Sequence, residues 1–218
     1  MRCIVVAPGA TEVGEHHSAA LAQARLVIAV DAGLGFALRT GLRVDAVIGD
    51  MDSVAPAHLA RATTDGATIV RHRPDKDQTD LQLALDLASE RGATAVELLG
   101  GFGGRWDHTF ANSLLPTAKR YRHIRIRALS RTWCAQWLNG PGSVILDASV
   151  GDTVSLIPMS EVASGIWTDD LEYSLAGEDL DAGATRGISN RAAGPNPAIR
   201  LGGGTLMCIT LHEMEEIQ

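Results

Sequence analysis

Apolar runs and amphipathic segments alternate along the chain up to about residue 130. Mostly apolar segments typical of strands lie at 4–7, 26–30, 44–48, 67–70 and 95–99, and a segment of alternating arginine and apolar residues at 124–129 predicts a further strand. Helical patterns lie between them at 33–40, 79–91 and 106–120. The clearest is 79–91, where leucines and alanines form one broad apolar side and Gly92 ends the pattern. This alternation predicts an α/β fold, with a mostly parallel sheet and flanking helices.

The pattern changes after about residue 135. Short apolar runs at 143–146, 153–157 and 205–211 are separated by glycine, proline and aspartate, which is typical of a small antiparallel β domain. The sequence at 139–142 predicts a junction or a hairpin turn, and the glycine- and proline-rich stretch 192–204 predicts a mobile loop. We therefore expect two domains, with bounds 1–135 and 136–218.

Length, composition and net charge limit the kinds of molecule that the protein is expected to bind. The chain has 218 residues, 45% of them hydrophobic, and a formal net charge of −7 with histidine neutral. That length suffices for one large domain or two small ones with a substantial core. The negative charge argues against nucleic acid or an anionic membrane as a partner, because both need a basic surface. It does not argue against ATP, which needs only local positive charge and a metal ion.

The three cysteines, Cys3, Cys134 and Cys208, are scattered and form no CxxC pair. Neither a structural zinc site nor a disulfide framework is therefore expected. The N-terminal apolar run is too short for a signal peptide, and no stretch approaches the roughly 20 apolar residues that cross a bilayer. We expect a soluble, cytoplasmic protein with reduced thiols.

Four aspartates follow predicted strands closely, in three clusters. Asp31 follows the run 26–30, Asp50 and Asp52 follow the run 44–48, and Asp80 ends the acidic segment 75–80. Carboxylates at strand ends gather where an open α/β sheet binds its ligand. Their hard oxygens suit Mg²⁺, which keeps several waters and also binds the phosphate oxygens of a substrate. The pattern predicts a Mg²⁺-dependent enzyme that acts on a nucleotide.

Each cluster also has a structural interpretation. Aspartates spaced by one residue often form caps or turns, although in an extended segment Asp50 and Asp52 would point the same way and could share one cation. The acidic segment 75–80 could be a solvated helix N-terminus favoured by the helix dipole, with Thr79 or Asp80 as its cap. Lys76 could instead neutralise phosphate charge.

A glycine-rich segment at 100–108, Gly-Gly-Phe-Gly-Gly-Arg-Trp-Asp-His, follows the run 95–99. Four glycines in five positions before a helical pattern predict a phosphate-binding loop, and Arg105 can clamp a phosphate with two hydrogen bonds. Asp107 and His108 could be acid–base groups, substrate ligands or helix caps. The segment is neither a Walker A loop nor a dinucleotide fingerprint, because no Gly-Lys-Ser/Thr follows and it lies after the fifth strand.

The predicted β domain contains a turn sequence, Ser189-Asn190, and the aromatic residues Trp167 and Tyr173 precede this turn in the sequence. Ser-Asn pairs are common in turns, and either aromatic ring could stack on an aromatic cation or belong to the core. Taken alone, this set does not distinguish a binding surface from ordinary packing.

In order along the chain, these motifs resemble the signatures of the thiamine pyrophosphokinase family. The matching segments are Asp31-Ala32-Gly33, 49–53, 75–80, 101–108 with Asn112 beyond it, and Ser189-Asn190. The resemblance implies an N-terminal α/β domain, a C-terminal antiparallel β-sandwich, and a homodimer whose active sites use residues from both subunits. It also implies transfer of a diphosphate from ATP to the hydroxyethyl oxygen of thiamine, with release of AMP.

The resemblance further implies roles for particular residues. Mg²⁺ and the phosphates would be held by Asp31, Asp50, Asp52 and Asp80, and the catalytic set would be Asp50, Asp52, Asp80 and Arg105. The nucleotide and phosphate side would include Asp77, Thr79 and Arg105, and the thiamine side Asp107, Tyr173, Ser189 and Asn190. We also count Lys76, Gly103 and Gly104 among the residues that bind the nucleotide, from the charge and the glycine pattern described above. The chain departs from the family pattern at Ala32 and Met51, which replace glycine and phenylalanine, and Trp167 competes with Tyr173 as the aromatic platform.

Two other functions fit parts of the pattern. An Asp-x-Asp nucleotide-sugar transferase also uses Mg²⁺, but it would consume a UDP-sugar and release no AMP. A sensor of thiamine or thiamine diphosphate would bind the vitamin without turnover. The full set of acidic residues disfavours the sensor, since a sensor has little need for metal-bound phosphates.

Overall fold

The chain forms two compact units in the structure, a computed structural model that describes residues 1–11, 13–14 and 17–213. The first unit comprises Met1–Pro116 with Ala128–Ser130, and the second comprises Thr117–Arg127 and the described residues from Arg131 onward. Among these residues no helix is long and apolar enough to cross a membrane. The domain bounds 1–135 and 136–218 stay a prediction.

Five parallel strands form the sheet of the first unit: β1 (Arg2–Val6), β2 (Leu26–Val30), β3 (Ala46–Gly49), β4 (Thr68–Arg71) and β5 (Ala95–Leu99). The helices are α1 (Ser18–Ala22), α2 (Gly33–Arg39), α3 (Pro56–Thr64), α4 (Asp80–Glu90) and α5 (Trp106–Leu114). Every residue of β2, β3 and β5 is buried, as expected for parallel strands covered on both faces. The predicted α/β architecture is confirmed.

The order of these strands, β5-β1-β2-β3-β4, places a change of direction beside β1. From β1 the chain adds β2, β3 and β4 on one side, and then returns to add β5 on the other. At such a point the connections leave the neighbouring strands in opposite directions, and a crevice opens at their carboxyl ends. The loops after β1 and β5 therefore lie on either side of a crevice in which α/β proteins commonly bind their ligands.

The helix predicted over 106–120 is shorter in the structure, where α5 ends at Leu114. Two short 3₁₀ turns, Leu115–Thr117 and Lys119–Tyr121, replace its last part before β6 (Arg125–Leu129). Pro116 explains the difference, because proline lacks the N–H that an α-helix interior needs and its ring crowds the preceding turn.

The second unit is a sandwich of two antiparallel sheets. One sheet has the order β12-β9-β14-β7 and the other β11-β10-β13-β8. Buried apolar side chains from both sheets pack in a single cluster, which includes Leu156, Ile166 and Leu206. The strands are β7 (Trp133–Asn139), β8 (Gly142–Ile145), β9 (Thr153–Pro158), β10 (Val162–Asp169), β11 (Ala176–Asp181), β12 (Asn190–Arg191), β13 (Ala198–Leu201) and β14 (Thr205–Leu211). The predicted β-sandwich is confirmed.

The prediction of a mobile loop over 192–204 is wrong. Strand β13 lies inside this stretch and pairs with β10 on one side and with β8 on the other. Its Ile199 and Leu201 are buried in the sandwich core. The glycines and prolines around β13 obscured a four-residue strand whose pattern of alternate buried side chains is real but short.

Candidate active site

A cavity of about 400 Å³ lies in the first unit, at the carboxyl ends of the strands on either side of β1. Its walls come from the turn after β1, from the residue that follows β2, from the start of α4, and from the glycine-rich loop and helix α5 that follow β5. The lining residues are Ala7, Pro8, Gly9, Val30, Asp31, Thr79, Asp80, Leu81, Gly101, Gly103, Gly104, Arg105, His108 and Asn112.

The cavity brings together nine of the residues singled out from the sequence: Asp31, Thr79, Asp80, Gly101, Gly103, Gly104, Arg105, His108 and Asn112. Asp77 is exposed on the segment before α4, and it is not among the described residues that line the cavity. Sequence reasoning missed the turn Ala7–Gly9. The signal was present, since a buried strand that ends in Pro-Gly marks a tight turn at the carboxyl end of the sheet.

Asp31 is a half-buried member of the acidic cluster and has an unusual backbone conformation. Its φ is 43°, in the left-handed region that few residues other than glycine and asparagine or aspartate adopt. Its Oδ1 accepts a hydrogen bond from Met51 N at 3.3 Å. Burial raises its pKa to about 6, and the negative charges of Asp80 and Asp50 add to the rise. The Met51 hydrogen bond and Lys76 oppose it.

Gly49, the last residue of β3, makes room for this carboxylate. A Cβ atom at position 49 would lie 1.8 Å from Asp31 Oδ1 and 2.4 Å from its Cγ. The φ of Gly49 is 143°, which also disfavours any other residue. Gly49 is therefore needed for the position of the Asp31 carboxylate, and not only for the turn that leads to Asp50.

We expect Gly49→Ala to displace the Asp31 carboxylate and to lower the free energy of unfolding by about 1–3 kcal/mol, through steric overlap and backbone strain. Urea unfolding measures the stability. Gly66→Ala is the matched control, because it also has a positive φ, of 94°, but a Cβ there would meet nothing within 4 Å. Equal losses in the two variants would mean that backbone strain alone, and not the Asp31 carboxylate, makes Gly49 necessary.

Asp50 and Asp52 approach each other through a turn. Asp52 N donates to Asp50 Oδ1 at 3.0 Å, and Met51 between them has a φ of 69° with its side chain buried. The expectation that an extended segment aligns the two carboxylates is thus wrong, although they do meet. The Asp52 N–H lowers the pKa of Asp50, whereas the hydrogen bond to Asp50 raises the pKa of Asp52. The pair therefore holds a proton more readily than two separate aspartates would.

Asp80, at the start of α4, is the fourth aspartate of the acidic cluster, and it pairs with Lys76. Lys76 Nζ donates to Asp80 Oδ1 at 2.8 Å across one helical turn. Thr79 is the N-cap, and its hydroxyl oxygen accepts a hydrogen bond from Gln82 N. Because Thr79 does the capping, the Asp80 carboxylate is left to face the cavity.

The acidic cluster has the chemistry of a divalent-cation site. Asp31 interacts electrostatically with Asp50 and Asp80, and Asp52 interacts with the same two residues. Lys76 lowers the pKa of Asp31 and of Asp50, but burial still holds the pKa of Asp31 above its ordinary value. Within the described ranges no three His, Cys, Asp or Glu side chains already converge as a closed metal site. Mg²⁺ does not need one, because it retains waters and takes further oxygens from phosphates.

The glycine-rich loop faces this cluster across the cavity and is attached to α5 by two side chains. Thr109 Oγ1 accepts a hydrogen bond from Gly103 N at 2.8 Å, and Asn112 Nδ2 donates to Gly101 O at 2.6 Å. At Gly100 a Cβ would lie 2.4 Å from Ala7 O, so glycine lets the loop pass close to the turn after β1. The loop is therefore held in place at both ends of its glycine run.

Arg105 and Asp107 form a two-point ion pair at the mouth of the cavity. Arg105 Nε and Nη2 donate to the two carboxylate oxygens of Asp107 at 3.2 and 2.6 Å. The guanidinium lowers the pKa of Asp107 to about 2. Both side chains are largely exposed, so the pair can open when an anion competes for the guanidinium.

The remaining candidates lie in the second unit. Asn190 is buried, and its side-chain amide makes hydrogen bonds to the backbone N and O of Tyr173 at 3.0 and 2.7 Å. Ser189 has a φ of 61°, and its N–H donates to Ser155 Oγ at 3.1 Å. The Tyr173 side chain is 65% exposed. Trp167 is less free, because the Arg200 guanidinium lies 5.5 Å from its ring centroid.

Comparisons with known proteins agree with this architecture. Residues 18–128 match the family model for the catalytic domain of thiamin pyrophosphokinase, and residues 143–205 match the model for its vitamin B1 binding domain. The chain is 30% identical over 166 residues to the thiamine pyrophosphokinase of Bacillus subtilis (strain 168), which covers 76% of this chain and 77% of that relative.

Solved structures extend the similarity to nearly the whole chain. The thiamine pyrophosphokinase from Bacillus subtilis superposes with a TM-score of 0.83 at 26% identity, over 98% of this chain and all of that one. The enzyme from Geobacillus thermodenitrificans gives a TM-score of 0.81 at 27% identity, over 99% of each chain. With both domain models matched in order, the chain belongs to the thiamin pyrophosphokinase family of ATP-dependent diphosphotransferases.

Proposed function

We propose that this protein transfers a diphosphate group from ATP to the hydroxyl of thiamine, giving thiamine diphosphate and AMP. The cavity beside β1 carries the proposal, because Asp31 and Asp80 line it together with a glycine-rich loop and Arg105, at the position where an α/β sheet binds ligands. Asp50 and Asp52 do not line the cavity, but they interact electrostatically with those two carboxylates. ATP needs this combination, in which a cation site and fixed positive charge share the polyphosphate chain.

On the phosphate side, Asp31, Asp50, Asp52 and Asp80 would hold Mg²⁺. The bound ion would offset charge on the transferred phosphates and on the leaving group. Fixed positive charge would come from Arg105 and Lys76, and the loop of Gly103 and Gly104 lets phosphate approach the backbone. Thr79 and Asp77 would complete the nucleotide side.

In the reaction, the thiamine hydroxyl oxygen bonds to the β-phosphorus of ATP. The bond from that phosphorus to the oxygen shared with the α-phosphate breaks, and AMP leaves. The proton of the alcohol needs an acceptor. Asp80 and Asp107 are the two candidates. Asp80 lines the cavity but bonds to Lys76 at 2.8 Å, and the Arg105 guanidinium lowers the pKa of Asp107 to about 2.

On the thiamine side we assign Asp107, Tyr173, Ser189 and Asn190. Tyr173 is the better aromatic platform for the cationic vitamin, since its ring is exposed while that of Trp167 already faces Arg200. The three cysteines are buried thiols, and burial raises the pKa of Cys3 and of Cys208 to about 12. Unreactive thiols of this kind suit a reducing compartment, so a cytoplasmic location is part of the proposal.

A homodimer is also part of the proposal, with active sites that draw on both subunits. Helix α5 carries three large apolar side chains spaced four residues apart, Trp106, Phe110 and Leu114, which are 77%, 59% and 43% exposed. This spacing puts them on one side of the helix, where they form an apolar stripe beside the cavity. A second copy of the chain would remove the stripe from water.

We expect Phe110→Glu combined with Leu114→Glu to shift the protein from dimer to monomer by introducing two charges into the apolar stripe. Sedimentation velocity at micromolar protein measures the shift. Val150→Glu is the control, because Val150 is 65% exposed and belongs to the second unit. A double variant that sediments like the wild type would exclude the stripe as the dimer contact.

The test of the proposed reaction is incubation of the protein with ATP, Mg²⁺ and thiamine, followed by separation of the products. We expect AMP and thiamine diphosphate in equal amounts. ADP with thiamine monophosphate, or thiamine binding without any turnover, would contradict the proposal. Turnover of a UDP-sugar in a parallel incubation would favour the nucleotide-sugar transferase instead.

A further inference from the structure

The side chain of Asn190 is fully engaged with the protein itself. Asn190 is buried at the start of β12, and its Oδ1 accepts hydrogen bonds from Tyr173 N at 3.0 Å and from Arg191 N at 2.8 Å. Its Nδ2 donates to Tyr173 O at 2.7 Å. The amide therefore satisfies the N–H and the C=O of Tyr173 together, as a paired strand would.

The neighbouring backbone shows why this matters for Tyr173. Leu171 and Ala192 form an isolated antiparallel bridge, and Glu172 N donates to Arg191 O at 2.9 Å. The segment 171–172 thus runs beside 191–192 without forming a full strand. At Tyr173 the Asn190 side chain supplies the donor and the acceptor, so it extends this pairing by one residue.

Asn190 is itself fixed by the turn that precedes it. Ser189 has a φ of 61° and its N–H donates to Ser155 Oγ, while Asn190 pairs with Val154 of β9. At Gly187 a Cβ would lie 2.3 Å from Leu156 O, so the turn sits tightly against β9. A rigid sheet therefore determines where the Asn190 amide lies.

We propose that Asn190 is a positioning residue that acts on thiamine through Tyr173, by fixing the backbone from which the exposed aromatic ring projects. A tyrosine has two side-chain torsions, so a fixed backbone leaves its ring few positions and reduces the entropy lost on binding a flat cation. The inference rests on the proposed function and changes one part of it: Asn190 serves the thiamine side without touching the vitamin.

Steady-state kinetics on the full chain with ATP, Mg²⁺ and thiamine test this role. We expect Tyr173→Ala and Asn190→Ala each to raise the KM for thiamine about tenfold, since each loses the same platform, with the KM for ATP unchanged. The double variant should stay within about twofold of Tyr173→Ala, because a residue that acts only through Tyr173 has nothing further to lose.

Asn139→Ala is the matched control. Asn139 also makes a side-chain hydrogen bond in the second unit, but its partner is Thr205 Oγ1, at 2.9 Å, and not Tyr173. It should leave the KM for thiamine unchanged. Asn190→Asp keeps the acceptor and removes the donor, and it takes the place of the alanine variant in the same cycle if that variant does not fold.

Effects of the two single variants that multiply in the double variant would overturn the inference, and so would an unchanged KM for thiamine in either single variant. Those outcomes leave the proposed reaction intact, provided that the wild type makes thiamine diphosphate. A wild type that makes none refutes the reaction itself, whatever the variants do.

Discussion

Asp50→Asn and Asp52→Asn should each lower turnover by about 10²- to 10³-fold while the protein stays folded. An amide is a poor ligand for a hard cation, and it removes one of the charges that stabilise metal-bound phosphate. Both side chains lie at the surface of a turn, so the fold does not depend on their ionisation. Thiamine diphosphate formation under saturating substrates measures the loss, and circular dichroism checks the fold.

Asp65→Asn provides the control for this experiment. It changes the net charge by the same amount at the residue that follows helix α3, where Asp65 pairs with Arg61 at 3.6 Å near the protein surface. Its turnover should equal that of the wild type. Near-normal turnover in the Asp50 or the Asp52 variant would remove that residue from the catalytic set.

Asp31→Asn should lower turnover by at least about a hundredfold, and yet make the metal-free protein more stable at pH 8. Asparagine tolerates the left-handed backbone at this position and can still accept the hydrogen bond from Met51 N. What it removes is a carboxylate that burial and the charges of Asp80 and Asp50 make costly to ionise. A residue that lowers the stability of the empty protein while it raises activity is characteristic of a ligand site.

The raised pKa of Asp31 determines how the stability difference between Asp31→Asn and the wild type changes with pH. The pKa of Asp31 is raised to about 6, so its protonated form contributes stability that is fully present below the ordinary pKa and is lost as pH rises through 6. With EDTA present, the variant should therefore gain over the wild type between pH 5 and pH 8. Melting temperatures across that range measure the gain. A variant less stable than the wild type at pH 8 would show that the ionised Asp31 carboxylate does not destabilise the metal-free protein.

The sequence predicted those parts of the fold and site that local patterns determine. The strands before Asp31 and Asp50 are continuous apolar runs, and Thr79 precedes an amphipathic helix, so the positions of these residues at the ends of strands and the start of α4 could be predicted. Strand β13 could not, because four residues among glycines and prolines carry little periodic signal. Pro116, by contrast, was a usable signal for the end of α5 that the apolar pattern obscured.

Contacts between distant segments were beyond local patterns. The need for glycine at position 49 comes from the Asp31 carboxylate, which the sheet brings beside it from 18 residues earlier in the chain. The pairing of the Asn190 amide with Tyr173 joins two segments 17 residues apart. Even within a local motif, the left-handed backbone of Met51 was not evident from the sequence, since methionine rarely adopts it.

Titration with Mn²⁺, monitored by electron paramagnetic resonance, tests most directly whether the acidic cluster binds a divalent cation together with the nucleotide. Mn²⁺ serves as a spectroscopic substitute for Mg²⁺, and a non-hydrolysable ATP analogue supplies the phosphates. We expect the wild type to bind Mn²⁺ at least tenfold more tightly with the analogue than without it, and Asp50→Asn to lose that gain. Equal Mn²⁺ binding by the wild type and by Asp50→Asn, with the analogue present, would contradict the account.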